Sequence, residues 1–122
     1  HMASEDPQGE NVVKAIDAAV DLALNNPSGN LEGWDLETLG GAWVGEEALA
    51  ITIAVVLAEE DINKALLLSV NHSGDSDSTG FMVGNVLGAL HGVSSLHPSW
   101  CKEVELSKEI VQLAQELAET TK

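Results

Sequence analysis

The sequence is poor in positive charge, in cysteine and in long apolar runs, and each shortage excludes a class of function. Only 5 Lys and Arg stand against 20 Asp and Glu, a net charge of −15 with neutral histidines. A nucleic-acid duplex presents about one negative charge per 1.7 Å and is bound through cations that displace its counterions. Nucleic acid is therefore excluded as a partner, and an anionic membrane surface with it. The single cysteine, Cys101, rules out an internal disulfide and a CxxC zinc site and fits a reducing compartment, the cytoplasm. The longest near-apolar stretches, residues 48–58 and 81–93, fall short of the roughly 20 residues that a membrane span needs, and the second carries Asn85 and His91. No secretory signal is visible. His1-Met2 reads as a cloning remnant and residues 3–9 as a disordered lead-in, which leaves one domain expected over residues 10–122.

What is present suits a single small folded domain: 122 residues, 44% apolar and 20% charged. Val12, Val13, Ile16, Ala19, Val20, Ala23 and Leu24 follow the three-and-four spacing of one helical face, ended by Asn25-Asn26-Pro27-Ser28-Gly29. Gly40, Gly41 and Gly45 make residues 40–45 a tight loop. Residues 46–60 contain β-branched Ile51, Thr52, Ile53, Val55 and Val56, but their length and the acidic first turn at Glu46-Glu47 favour a buried helix over a strand. Asp61 is the expected cap of a helix reaching Val70, with Ile62, Ala65, Leu66, Ser69 and Val70 inward. Ile110, Val111, Leu113, Ala114, Leu117 and Ala118 are the expected buried side of a last helix, residues 107–120. The reading is all-α.

Between these lies a helix from Ser76 or Asp77 to Gly92, with Gly80, Gly84, Gly88 and Gly92 along one face. Interior glycines cost roughly 1 kcal/mol each against alanine, so close approach by a neighbouring helix is expected. A helical bundle around this central, nearly fully buried helix follows.

The chemistry-bearing segment is His72-Ser73-Gly74-Asp75-Ser76-Asp77-Ser78-Thr79-Gly80. Within a helix, residues two apart face nearly opposite ways. At a loop-to-helix junction, Asp75, Asp77 and the Ser78 hydroxyl can instead converge on a hard cation such as Mg²⁺, Mn²⁺ or Ca²⁺. Helix capping alone needs only one such aspartate. Two other motifs match in part. Asp75, Asp77, Thr79 and Gly80 occupy positions 1, 3, 5 and 6 of an EF-hand, but the position of its bidentate glutamate is Val86. A phosphatase-like DxDxT nucleophile matches the letters but belongs after a buried parallel strand.

A longer run carries a third match. Leu39-Gly40-Gly41-Ala42-Trp43-Val44-Gly45-Glu46-Glu47-Ala48-Leu49-Ala50, the segment from Ala65 through Asn71-His72-Ser73-Gly74-Asp75-Ser76-Asp77-Ser78-Thr79-Gly80, and Gly84-Asn85-Val86-Leu87-Gly88-Ala89-Leu90-His91-Gly92 together resemble the C-terminal part of the ADP-ribosylglycohydrolase family, the DraG-like hydrolases. The resemblance implies an all-helical fold, a pair of divalent cations (Mg²⁺ or Mn²⁺), and hydrolysis of the glycosidic bond between ADP-ribose and an acceptor. It places Asp75, Asp77 and Ser78 among the metal ligands, Ser78 standing where many members have threonine. Trp43 is then a candidate for stacking on adenine, or else a core anchor, with Gly74 and His72 candidate substrate-side residues. His72 and His91 could each touch substrate but better suit hydrogen-bonded packing, Glu46 and Glu47 could support the site or be dipole-favoured surface charges, and Cys101 reads as inert.

Family members also bring a Thr-Asp-Asp cluster from an N-terminal half. The adjacent acidic pairs of this chain are Glu5-Asp6, Glu46-Glu47, Glu59-Glu60 and Glu60-Asp61, none of that type. Cations held by two aspartates and one serine are held weakly, since affinity rises with ligand count. The resemblance thus implies an incomplete hydrolase whose missing elements come from a complementing chain or further sequence. The alternative is a non-catalytic helical module that forms homo-oligomers through apolar faces left uncovered.

Overall fold

The computed structural model describes residues 7–26 and 30–121. Among them the chain forms seven α-helices and no strand: α1 (Pro7–Asn25), α2 (Gly33–Leu36), α3 (Gly45–Ala58), α4 (Ile62–Ser69), α5 (Ser76–His91), α6 (Pro98–Glu103) and α7 (Ser107–Thr120). Short 3-10 turns follow α2 (Glu37–Leu39) and α5 (Val93–Ser95). The all-α expectation is met. The lead-in expected before residue 10 and the Pro27-Ser28-Gly29 stop fall partly or wholly outside the described residues, although helix already begins at Pro7. A proline there is compatible with a first turn, whose amides have no intrahelical acceptor.

The β-branched run is helical, and α3 is the most enclosed element. Ala48, Ala50, Ile51, Thr52, Ala54, Val55 and Ala58 are all buried, because α1 packs along one side and α4 and α5 along the others. A side chain such as Ile51 gains about 1.5–3 kcal/mol from full burial. Thr52 is tolerated there because its hydroxyl donates to the Ala48 carbonyl at 2.8 Å. From α1, Ala19 and Ala23 are buried, while Leu24 is exposed. Asp61 caps α4 as expected, accepting from the Asn63 and Lys64 amides. Ile62, Ala65 and Ser69 face inward and Leu66 is half-buried; Val70, just past the last turn, is exposed.

Two expectations about burial are corrected. The glycine-striped α5 packs on α3 and α4, but only Thr79, Val83 and Leu87 are buried, and Phe81, Val86 and Leu90 are exposed. Close approach accounts for Gly80, where a Cβ would lie 2.7 Å from Val70 Cγ1. Around Gly88 there is open space, so the stripe as a whole is not a packing seam. Gly92 instead ends α5 at φ +76°, a conformation that disfavours side chains. The second correction concerns α7. None of its residues is buried, and Ile110, Val111, Leu113 and Leu117 are exposed, because the helix it chiefly packs against is the short α6.

Candidate functional site

The segment between α4 and α5 turns sharply at Asn71-His72-Ser73-Gly74 and enters α5 through Asp75. Asp75 stands at the N-cap position, yet its side chain caps no amide. It accepts instead from the Ser78 hydroxyl, one turn on, at 2.8 Å. Its carboxyl is held below the ordinary carboxylate range, first by the Asp77 carboxyl beside it, then by Ser78. The junction therefore brings Asp75, Asp77 and Ser78 together, as a continuous helix would not. Because Ser78 donates its hydrogen to Asp75, its oxygen lone pairs stay free. Two carboxylates and a hydroxyl are a hard-oxygen donor set that suits Mg²⁺ or Mn²⁺ in kind. They provide about half of the roughly six oxygens such a cation takes, and among the described residues no three His, Cys, Asp or Glu side chains gather in a metal-holding group.

The backbone of the loop is tied down amide by amide. Ser73 N–H donates to Glu37 Oε1 at 2.9 Å, Gly74 N–H to His72 Nδ1 at 3.1 Å, and Asp75 N–H to the Gly41 carbonyl at 2.8 Å. With Nδ1 accepting, the neutral His72 ring carries its hydrogen on Nε2, which donates to Thr79 Oγ1 at 2.8 Å. Thr79, fully buried, passes its own hydrogen to the Ser69 carbonyl at 2.6 Å. That carbonyl belongs to the last turn of α4, which has no intrahelical donor to offer it. Both His72 nitrogens are thus engaged within the chain, in agreement with the packing role.

The glycine-rich loop 40–44 lies against this turn. Gly74 is pressed on the Gly41 backbone and Gly33 on the Asn71 carbonyl, so a Cβ at either would overlap main-chain atoms that have no room to yield. Ala42, buried, is held at φ +62°, a left-handed conformation that costs roughly 1–2 kcal/mol for alanine. Trp43 folds back over Gly41 and stays 72% exposed, which corrects the core-anchor reading and leaves its indole facing solvent. Glu47, at the start of α3, packs its carboxylate against Gly40. His91 is exposed at the end of α5 rather than packed. Glu37 was not foreseen: it lies 36 residues from Ser73 in sequence, and no local pattern marks the pairing. Its carboxyl too is held below the ordinary range, chiefly by hydrogen bonding from Ser73.

A separate apolar cavity of about 280 Å³ opens between α4, α6 and α7, lined by Leu66, Leu96, Trp100, Val104, Ile110 and Cys101 among others. It shares no lining residue with the acidic loop. No described helix is long and apolar enough to cross a membrane.

Comparison with known proteins adds to this geometry. The chain is 37% identical over 71 residues to ADP-ribosylarginine hydrolase Tri1 of Pseudomonas putida (strain GB-1), covering 58% of this chain and 19% of that protein. It is 35% identical over 65 residues to the uncharacterized protein YegU of Escherichia coli (strain K12), covering 52% of this chain and 20% of that one. The alignments therefore span about a fifth of each relative's length. No solved structure matches significantly. The family model for ADP-ribosylglycohydrolase matches residues 1–122, and with the helical fold and the acidic junction it shows that this chain belongs to the ADP-ribosylglycohydrolase family.

Proposed function

We propose that this chain supplies the acidic-loop side of a divalent-cation-dependent hydrolase that cleaves ADP-ribosyl glycosidic bonds. The observation that carries the reading is the convergence of Asp75, Asp77 and Ser78 at the head of α5 in a chain of this family. Mg²⁺ or Mn²⁺ would be held by these three residues, and when bound it supplies Lewis-acid polarisation of substrate and water. The chain's own residues fix the ligands: His72 and Thr79 brace the turn, and Gly74 allows it to lie against Gly41. Trp43, exposed beside the turn, offers a face on which an adenine can stack. A cation is needed for binding as well as chemistry, since ADP-ribose is anionic and the chain carries −15. The name of the Pseudomonas relative points to arginine-linked ADP-ribose as the first substrate to try. The single cysteine accords with a cytoplasmic setting.

Three oxygen-bearing side chains leave a cation under-coordinated, so the chain by itself is expected to be inactive. The test is release of ADP-ribose from an ADP-ribosylated arginine peptide in Mn²⁺, with the chain alone and with the chain mixed with the N-terminal segment of a relative. Release only in the mixture is expected. A mixture that associates yet releases nothing overturns the hydrolase reading, and release by the chain alone overturns its incompleteness.

A second reading, a non-catalytic module that assembles through its helices, is favoured by the uncovered apolar side of α7. On that reading light scattering shows dimers or larger species, and a strictly monomeric chain counts against it.

A further inference from the structure

Three successive amides of the metal-ligand turn, those of Ser73, Gly74 and Asp75, each find an acceptor. One acceptor is inside the turn, on His72. The other two come from one distant segment, the 3-10 turn and glycine loop at residues 37–41: Glu37 Oε1 and the Gly41 carbonyl. This segment holds the turn from outside, and Glu37 is its only side chain among these acceptors. Its bond is anchored at Ser73, two residues before Asp75. A carboxylate that accepts an amide hydrogen makes a charge-assisted bond, roughly twice as strong as a neutral one. Glu37 itself is exposed and makes no hydrogen bond to Asp75, Asp77 or Ser78.

We infer that Glu37 is a positioning residue of the cation site: by accepting the Ser73 amide it fixes the turn that aims Asp75 at the ion. This rests on the reading of Asp75, Asp77 and Ser78 as cation ligands. Groups that orient ligands in this way typically carry about 10–100-fold of metal affinity, and an exposed acceptor acting through the backbone belongs at the lower end of that range. The hydrogen bond, not the charge, is the active feature, so an amide oxygen at position 37 serves nearly as well.

The experiment titrates Mn²⁺ into the 122-residue chain and its Glu37→Ala, Glu37→Gln and Asp75→Asn variants, following loss of the free-ion electron paramagnetic resonance signal. Hydrogen exchange of the Ser73 amide is measured alongside. For Glu37→Ala, about tenfold weaker Mn²⁺ binding is expected, with faster Ser73 exchange and unchanged far-ultraviolet circular dichroism. For Glu37→Gln, affinity within about twofold of the wild type and a slow Ser73 amide are expected. Wild-type affinity in Glu37→Ala, with Asp75→Asn impaired, overturns the positioning role alone. Equal losses in Glu37→Ala and Glu37→Gln also overturn it, because the carboxylate charge is then what matters. A wild-type chain that leaves the Mn²⁺ signal unchanged at millimolar ion, both alone and mixed with the N-terminal segment of a relative, overturns the cation reading itself, and the inference with it.

Discussion

Asp75→Asn is expected to weaken Mn²⁺ binding at least about a hundredfold, beyond the loss attached to supporting groups, while leaving the fold in place. The two effects separate because of what Asp75 does in the structure. Its carboxylate accepts from the Ser78 hydroxyl and caps no helix amide, and an asparagine oxygen can still accept that hydrogen. The backbone bond from Asp75 N–H to the Gly41 carbonyl is untouched by the substitution. What disappears is one of two negative charges, and a hard cation held by few ligands depends steeply on each of them. Mn²⁺ titration checks the affinity, and thermal unfolding without metal checks the fold. An Asp75→Asn chain that binds Mn²⁺ like the wild type would show that the acidic junction is not the cation site.

Thr79→Val is expected to destabilise the chain by about 2–4 kcal/mol, although the replacement is nearly isosteric. Leaving a buried polar group unpaired costs about 1–3 kcal/mol, and the Thr79 hydroxyl serves two of them. It donates to the Ser69 carbonyl at the end of α4 and accepts from His72 Nε2. Valine fills the space and answers neither. Denaturant unfolding measures the loss, and hydrogen exchange at the Gly74 amide, which donates to the same imidazole, reports whether the turn loosens with it. A change under about 0.5 kcal/mol, the usual range for surface substitutions, would mean that the relay from α4 to the acidic loop contributes nothing to stability.

Much of the helical layout is legible in the linear sequence, for local reasons. Apolar spacing marks α1, the uninterrupted apolar run with its acidic first turn marks α3, and Asp61 marks the start of α4. Burial is less legible, because it depends on neighbours. The apolar face of α7 has the same pattern as a core helix, yet it packs chiefly on the short α6. Residues 81, 86 and 90 of α5 are apolar and exposed for the same reason. The short helices α2 and α6, of four and six residues, leave too little periodicity to read.

The candidate site divides along the same line. Sequence alone determined the residue types and their spacing: two aspartates and a serine at a helix entrance, preceded by a turn, in an all-α chain of strongly negative charge. Those are properties of neighbouring residues, whose mutual reach is set by local backbone geometry. Tertiary structure alone decided what holds the turn. Glu37 and Gly41 meet residues 73 and 75, and Gly33 meets the Asn71 carbonyl, because α2 and the glycine loop fold back on the α4–α5 junction. Contacts between segments so far apart come from the packing of whole elements around α3, and no residue pattern within either segment encodes its partner.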